Sequence, residues 1–320
     1  MKYVSLGKTG VRVSQTCLGT AFRGQFDDAV CEKVIERALD LGVNFIDTSN
    51  VYGENRIGQA ERVLGGVLNG RRDRVVLTTK IFYPIGDGPN DWGLSRVHLF
   101  RELDRSLERL RTDYVDILFL HQPDESTALD ESLRAADSLV KQGKARYVGL
   151  SKFSAWQAAN AQAIAQQHHY EPIAVLQNRY NLIYRESELE ILPFIRDSGL
   201  GLMVFSPLAI GLLSGKFHSN VSPPADTLWG SGYVGFDVLM TQQTDKLVDT
   251  LKAIGDSKNK SSAQVAIAWI LSHPEVTSVI IGPDLPSQVD EYVGSVGWNL
   301  SSEEIQCLDE LSAPMWAVRP

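Results

Sequence analysis

A repeated alternation of short apolar runs with longer amphipathic segments limits the folds that are open to this 320-residue chain. The apolar runs are Thr16-Cys17-Leu18, Asn44-Phe45-Ile46, "VVLTT", "VDILFL", "RYVGL", "IAVLQ", "GLMVF" and "SVII". The segments between them carry apolar residues at three- and four-residue spacing, which is typical of helices. Strands that are apolar on both faces and that alternate with helices predict a parallel sheet covered by helices.

Two of the helical segments also indicate where their helices begin and end. In "DDAVCEKVIERALDLG", Val30 and Val34 belong to the apolar stripe and Gly42 predicts the end of the helix. In "SRVHLFRELDRSLERLR", Ser95 is a suitable N-cap.

Two parallel architectures compete for this pattern. A doubly wound dinucleotide-binding domain carries G-x-G-x-x-G between its first strand and helix, where this chain reads "LGTAFRG". An eight-stranded barrel needs about 250 residues plus insertions, which fits the length. We therefore predict an α/β fold, a single (β/α)8 TIM-barrel domain over residues 1–320 with an N-terminal β-hairpin at "KYVSL" and "VRVS".

A long irregular segment, residues 217–237, follows the seventh predicted barrel strand. It reads "FHSNVSPPADTLWGSGYVGFD", and structureless loops of this length in compact domains are usually lids or disordered segments. Its aromatic residues Trp229, Tyr233 and Phe236 favour a lid.

Charge and cysteine content limit the partners and the compartment. The net charge of −8 and the absence of a polybasic block argue against nucleic acid or an anionic membrane as the main partner. The N-terminus has no apolar signal region, and no window approaches the ~18 apolar residues of a membrane span. The three cysteines, Cys17, Cys31 and Cys307, are far apart, which indicates reduced thiols in a cytoplasmic protein. Both a monomer and a homo-oligomer remain open.

Three consecutive predicted strands end in titratable residues. Asp47 ends the second barrel strand and Tyr52 lies in the loop after it, Lys80 ends the third strand, and His121 ends the fourth. The C-terminal ends of barrel strands meet at one rim, where catalytic residues of this fold lie. Each residue alone has a structural interpretation, such as a loop cap for Asp47 or packing for Tyr52. Four of them on one rim favour a catalytic role.

The chemistry that suits these four residues is proton transfer at a carbonyl oxygen. A phenol has a pKa near ~10 in water, and a nearby ammonium favours its phenolate form. A lysine after five strand residues needs a partner, which Asp47 on the neighbouring strand provides. A histidine at the rim can donate a hydrogen bond to the substrate oxygen. Because none of these groups supplies a hydride, a nicotinamide cofactor is expected.

Over nearly its full length the chain resembles the aldo-keto reductase family. The matching segments are "LGKTGVRVSQTCLGT", "GVNFIDTSNVYG", "RVVLTTK", "SLERLRTDYVDILFLHQPD", "VKQGKARYVGLS", "LQNRYNL", "FSPLAIGLLSGK" and "IIGPDLPSQVDE". The resemblance implies that Asp47, Tyr52, Lys80 and His121, called the tetrad below, are catalytic. It also implies interconversion of a small-molecule carbonyl compound and its alcohol by direct hydride transfer.

The resemblance further implies which residues hold the cofactor. The matching positions are Thr20 and Asp47 near the ring, Ser151, Lys152 and Gln177 at the carboxamide, Phe205 on the nicotinamide face, Ser206, Leu208, Gly211, Ser214 and Lys216 at the pyrophosphate, and Gly282, Asp284, Gln288 and Glu291 at the adenosine end. Lys152 replaces the usual Asn and Phe205 replaces the usual Tyr or Trp.

The cofactor preference is left open between NADP(H) and NAD(H). Most family members hold the 2′-phosphate of NADPH with Arg or Lys, whereas this chain has Asp284 and Leu285 where that contact is often built. Residues 217–245 contain no Lys or Arg. A carboxylate would repel a phosphate but could accept a hydrogen bond from a free 2′-hydroxyl.

The substrate pocket is predicted from rim residues. The expected substrate-binding residues, besides Tyr52 and His121, are Phe22, Arg23, Phe82, Tyr83, Trp92 and Trp229. Flat aromatic rings and a cation suit a sugar, a hydroxylated ring, or a related aldehyde or ketone.

Two other kinds of function compete with a reductase. A metal hydrolase would need clustered histidines, but the only adjacent pair, His168-His169, ends a predicted helix, so no metal is expected. Channel-associated β subunits share the motif series, so a redox-sensing regulatory protein with little turnover is the alternative.

Overall fold

Eight parallel strands close into a barrel in the computed structural model, which describes residues 1–23, 27–53 and 56–314. The barrel strands are β3 (Thr16–Gly19), β4 (Phe45–Asp47), β5 (Val76–Ile81), β6 (Val115–Leu120), β7 (Ala145–Ser151), β8 (Ile173–Arg179), β9 (Gly201–Phe205) and β10 (Ser278–Ile281). Each strand pairs in parallel with the next one, and β10 pairs with β3. The predicted (β/α)8 barrel is confirmed. The doubly wound alternative is wrong, because such a sheet keeps two open edges.

Helices pack around the outside of the barrel. Their bounds are α1 (Asp28–Asp40), α2 (Gln59–Val67), α3 (Arg96–Leu110), α4 (Leu129–Lys141), α5 (Ala155–His168), α6 (Ile191–Ser198), α7 (Phe236–Leu239), α8 (Gln242–Lys258), α9 (Ser262–Leu271), α10 (Pro286–Val293) and α11 (Ser302–Leu311). Ser95 caps α3 as predicted, since its hydroxyl accepts the His98 N–H. Helix α1 ends at Asp40 with Leu41 as its C-cap, and Gly42 follows in the left-handed conformation.

The N-terminal hairpin lies across the end of the barrel where the strands begin. It consists of β1 (Tyr3–Ser5) and β2 (Arg12–Ser14), which pair antiparallel. Leu6 and Val13 are buried against the barrel interior. At Gly7, whose φ is +52°, a Cβ would come within 2.5 Å of the Gly201 backbone nitrogen, so a side chain there would push the hairpin away from β9. The predicted hairpin is confirmed, and it closes this end of the barrel.

The predicted long loop after the seventh barrel strand is present between β9 and α8. The Trp229 ring packs edge-on against Tyr233, with centroids 5.1 Å apart, and tilted against Phe236 at 5.8 Å. Its indole N–H donates to the Ile210 carbonyl at 2.9 Å, and the side chain is buried. The loop therefore has a small aromatic core of its own, and closure over the barrel mouth stays a prediction.

All three cysteines are free thiols, with Cys17 and Cys31 buried and Cys307 exposed. Burial raises the pKa of both buried thiols, because the thiolate is poorly solvated there. Among the helices in the described ranges, none combines the length and the apolar character that spanning a bilayer requires.

Candidate active site

Four of the predicted site residues face the barrel interior at the C-terminal ends of the strands, because side chains two positions apart on a strand point the same way. The interior core residues of four strands are Phe45, Phe119, Val175 and Met203. The positions two residues further along these chain segments are Asp47, His121, Gln177 and Phe205. Polar and aromatic groups from opposite sides of the barrel therefore converge above one apolar layer. This end of the barrel is called the rim below.

Asp47, Lys80 and Tyr52 form one connected hydrogen-bonded group. The Lys80 ammonium donates to Asp47 Oδ2 at 2.6 Å, to the Thr48 carbonyl at 2.9 Å and to the Tyr52 hydroxyl oxygen at 3.1 Å. Lys80 and Asp47 are almost completely buried, with side chains 0% and 3% exposed. All three N–H groups of the ammonium have acceptors, which is what a buried charge requires.

The buried ammonium stays charged. Burial works against the charged form, but the negative charges of Asp47 and of a Tyr52 phenolate outweigh it, so the pKa of Lys80 lies above its ordinary value of 10.5. Asp47 Oδ1 is also satisfied, since it accepts from the Thr78 hydroxyl at 2.8 Å and from Gln177 Nε2 at 2.9 Å. The carboxylate therefore holds the ammonium in a fixed position next to the phenol.

His121 completes the tetrad as a neutral imidazole. Its ring lies edge-on to Tyr52 with centroids 6.1 Å apart, and edge-on to Tyr83 at 4.8 Å. Burial, together with the positive charges of Lys80 and Lys152, holds the pKa of His121 well below its ordinary 6.5. Nδ1 lies 3.2 Å from the Ser49 hydroxyl. The ring is thus uncharged at neutral pH and can donate from only one of its nitrogens.

The expected substrate residues fall into two groups in the structure. Phe82 packs edge-on against Tyr83 and Trp92, at 5.4 and 6.1 Å, and Tyr83 contacts His121, so these rings continue from the tetrad to the surface. Trp92 is 45% exposed. Phe22 is buried, Arg23 is exposed, and the buried Trp229 contacts Tyr233, Phe236 and the Ile210 carbonyl.

The residues expected at the nicotinamide fit that group. Ser151 Oγ is buried and has no hydrogen-bond partner among the described residues. Its hydroxyl can therefore donate a hydrogen bond to a carboxamide or accept one from it. Thr20 is bonded to the Asp47 carbonyl through its hydroxyl at 3.1 Å. Phe205 packs on the barrel interior and lines a cavity of ≈ 540 Å³ together with Lys152. Gln177 donates to Asp47, and Lys152 reaches Tyr83, a contact absent from the sequence interpretation.

The segment expected at the pyrophosphate is locally strained. Ser206, Ala209 and Ile210 all have positive φ, at 54°, 48° and 58°, a conformation that costs non-glycine residues energy and concentrates at ligand sites. Gly211 and Gly215 have positive φ as well. Leu208 is buried, the Ser214 hydroxyl donates to the Gly211 carbonyl, and Lys216 is exposed. Successive backbone turns of this kind expose N–H groups that suit an anion.

The residues expected at the adenosine end surround the start of α10. Gln288 Oε1 accepts the backbone N–H groups of Asp284 and Leu285, at 2.7 and 3.0 Å, and so caps this helix. Glu291 accepts from the Ser261 hydroxyl at 2.6 Å, which ties α10 to α9. Gly282 is exposed. Leu285 is 47% exposed.

Sequence interpretation missed several supporting residues. Thr78 binds Asp47, Ser49 contacts His121, and Gln122 accepts a hydrogen bond from Tyr83 at 2.7 Å. Gln177 was predicted at the carboxamide, but its contact with Asp47 was not. The two-residue strand period could have identified Thr78, which precedes Lys80 by two positions and faces the same way. Within the three described ranges, no three or more His, Cys, Asp or Glu side chains cluster in a way that could hold a metal ion.

The structure thus shows a closed parallel barrel with a buried ammonium, a carboxylate, a phenol and an imidazole at its C-terminal rim. Comparison with known proteins specifies the family: the family model described as "Aldo/keto reductase family" matches residues 16–313. The chain belongs to the aldo/keto reductase family and is an oxidoreductase of that family.

Relatives resemble this chain over nearly their whole lengths. It is 37% identical to the uncharacterized oxidoreductase YrpG of Bacillus subtilis (strain 168), covering 97% of this chain and 96% of that protein. It is 38% identical to a probable voltage-gated potassium channel subunit beta of Arabidopsis thaliana, covering 92% and 91%. It is 35% identical to the versiconal hemiacetal acetate reductase of Aspergillus parasiticus, covering 100% and 99%.

Proposed function

We propose that this protein interconverts an aldehyde or ketone and the corresponding alcohol, with Tyr52 as the general acid and base. The observation that carries the proposal is the 3.1 Å contact between the buried Lys80 ammonium and the Tyr52 hydroxyl. When bound, NADP(H) or NAD(H) supplies or takes up the hydride. The substrate class is a sugar, a hydroxylated ring, or a related carbonyl compound. The cysteine pattern supports a cytoplasmic location.

In the direction of reduction, Tyr52 donates its phenolic proton to the carbonyl oxygen as the alcohol forms. Lys80 stabilises the phenolate that remains, because its ammonium is within hydrogen-bond distance of the oxygen. Asp47 keeps Lys80 in place and charged. Solvent then returns a proton to Tyr52, and alcohol oxidation uses the same groups in reverse.

His121 orients the carbonyl through the nitrogen that does not face Ser49. The Ser49 hydroxyl lies 3.2 Å from the Lys80 carbonyl as well as from His121 Nδ1, and this role of His121 requires that the hydroxyl donate its proton to Nδ1. The neutral ring then carries its proton on Nε2, which is the nitrogen left to donate a hydrogen bond to the substrate oxygen. A preorganised donor of this kind strengthens its interaction as negative charge develops in the transition state.

Tyr52→Phe tests the proposal by removing only the phenolic oxygen. We expect kcat/KM for a panel of aldehydes and ketones to fall by ~100-fold or more, since the lost group acts in the transition state. Cofactor binding, followed by quenching of protein fluorescence, should remain. Tyr114→Phe, which makes the same change just before β6 at the opposite end of the barrel, is the control. Turnover of the Tyr52 variant within tenfold of wild type would contradict the proposal.

The similarity to the Arabidopsis potassium channel subunit supports a second candidate function, a redox-sensing regulatory protein. Such a protein would bind the nicotinamide cofactor yet turn over slowly with every carbonyl compound. The same substrate panel separates the two functions. Negligible turnover of wild-type protein with intact cofactor binding supports the regulatory function, and turnover that depends on Tyr52 supports the enzyme.

A further inference from the structure

A second phenol–ammonium pair lies on the rim beside the tetrad. Tyr83 donates its hydroxyl proton to Gln122 Oε1 at 2.7 Å, and its oxygen accepts from the Lys152 ammonium at 2.6 Å. The ammonium also lies 4.9 Å from the centroid of the Tyr83 ring. The three residues follow the ends of the adjacent strands β5, β6 and β7. Hydrogen bonding and the ring face together hold this ammonium at the mouth of the site.

The pair is next to the proposed carbonyl-binding group. The Tyr83 ring contacts the His121 ring edge-on, at 83° and 4.8 Å. The charge of Lys152 is near enough to His121 to contribute to the lowered pKa of the imidazole. A substrate whose carbonyl oxygen reaches His121 therefore places its neighbouring atoms within the field of the Lys152 charge.

The Lys152 ammonium has donors to spare. It carries three N–H groups, and Tyr83 takes one of them. Glu186 and Glu190 line the same cavity as Lys152, yet in the described part of the chain no carboxylate lies within the 4.0 Å of an ion pair with it. The side chain is exposed, so a ligand can reach the remaining donors.

The backbone of Lys152 is held in an uncommon conformation. Its φ is +62°, in the left-handed region, and its N–H donates to the Gln177 carbonyl at 2.9 Å. This conformation costs a non-glycine residue energy, and it persists only where the surrounding structure imposes it. The start of the side chain is therefore fixed relative to β8, which supports a positional role for the ammonium.

We propose that Lys152 is a specificity-determining residue that binds an anionic group of the substrate while Tyr52 and His121 bind its carbonyl oxygen. This inference rests on the proposed carbonyl reduction and narrows its substrate class to carbonyl compounds that carry a carboxylate or an equivalent anion. Tyr83 positions the ammonium, and a carboxylate accepting one or two of its free N–H groups would form charge-assisted hydrogen bonds.

The test compares each acid with its neutral ester. The substrates are 3- and 4-carboxybenzaldehyde and their methyl esters, which place the charge at two distances from the same reacting group. We expect wild-type protein to prefer the acid, and Lys152→Met to lower the acid-to-ester ratio of kcat/KM by ~10-fold or more, as loss of one charge-assisted hydrogen bond predicts. Lys152→Arg should keep the preference, and added salt should weaken it. Lys252→Met, an equal charge change on the exposed face of α8, should leave the ratio unchanged.

Two results would overturn the anion site. One is a wild-type protein that turns over acid and ester equally. The other is a Lys152→Met variant in which both substrates slow in parallel and cofactor affinity falls, which would make Lys152 a cofactor contact. Calorimetry with 4-carboxybenzyl alcohol and its methyl ester reports the same preference without turnover. If wild-type protein binds the acid and the ester equally in calorimetry, the anion site is contradicted. If it binds the acid more tightly but turns over neither aldehyde, only the proposed reductase activity is contradicted.

Discussion

The side-chain amide of Gln177 donates to the carboxylate of Asp47 across the full width of the barrel, with 2.9 Å between Nε2 and Oδ1. Their strands, β8 and β4, are diametrically opposite in the closed order, with three strands between them on either side. The contact joins the hydrogen-bonded group of Asp47, Lys80 and Tyr52 to a residue expected at the nicotinamide. We therefore expect a substitution of either residue to affect the position of the other.

Gln177→Met should impair both cofactor binding and turnover. Asp47 Oδ1 loses one of its two donors, and the expected carboxamide contact is lost. We expect the cofactor Kd to rise and kcat to fall, each by ~10-fold, about the effect of one buried hydrogen bond. Fluorescence titration and steady-state kinetics measure the two effects. Gln306→Met, on exposed α11, is the control. An unchanged Kd with reduced kcat would show that Gln177 serves Asp47 alone.

Asp47→Leu should destabilise the fold because it leaves the Lys80 ammonium buried without its carboxylate. We expect the free energy of unfolding in urea to fall by ~3–5 kcal/mol, as for other broken buried pairs. Adding Lys80→Met should recover much of that loss. Asp290→Leu removes a carboxylate that pairs with Arg37 at the surface and should change stability little. Equal losses in the single and double variants would show that the ammonium is not the cause.

His121 should make the fold less stable in mild acid. Its pKa is lowered in the folded state, so below about 6.5 the unfolded chain binds a proton that the folded chain does not. The stabilising effect of the neutral ring is complete above pH 6.5 and is lost as the pH falls from there. His121→Gln, which cannot titrate, should therefore show a shallower decline in unfolding free energy between pH 7 and 5, measured by urea denaturation. His169→Gln, at the exposed end of α5, should decline as wild type does.

The cofactor preference should respond to the two residues before α10. If NADH is used with a kcat/KM comparable to that of NADPH, the combined change Asp284→Ser and Leu285→Arg should shift the preference toward NADPH. It removes a carboxylate and adds a cation at the expected adenosine end. Measuring kcat/KM with both reduced cofactors decides this. A wild-type preference of ~100-fold for NADPH would show that other groups hold the phosphate.

The barrel and the meeting of the tetrad could be predicted because both follow from local patterns. The apolar strand segments, alternating with helices, predict a closed parallel sheet. The C-terminal ends of its strands meet at one rim, so Asp47, Lys80 and His121 must lie there together. The Asp47–Gln177 contact could not be predicted, since it joins residues 130 positions apart through particular rotamers. The hydrogen bond from Lys152 to Tyr83 depends on the positive φ of Lys152, and a lysine in the sequence gives no indication of that conformation.

The hairpin covers the N-terminal end of the barrel, so only the C-terminal rim is open to ligands. On the proposed function, cofactor and substrate must both pass through the C-terminal rim, and the residues expected at the nicotinamide lie on the same inward layer as the tetrad. A substrate bound at His121 would then cover the residues that are expected to hold the nicotinamide. We therefore expect an ordered mechanism, in which the cofactor binds before the substrate and leaves after the product.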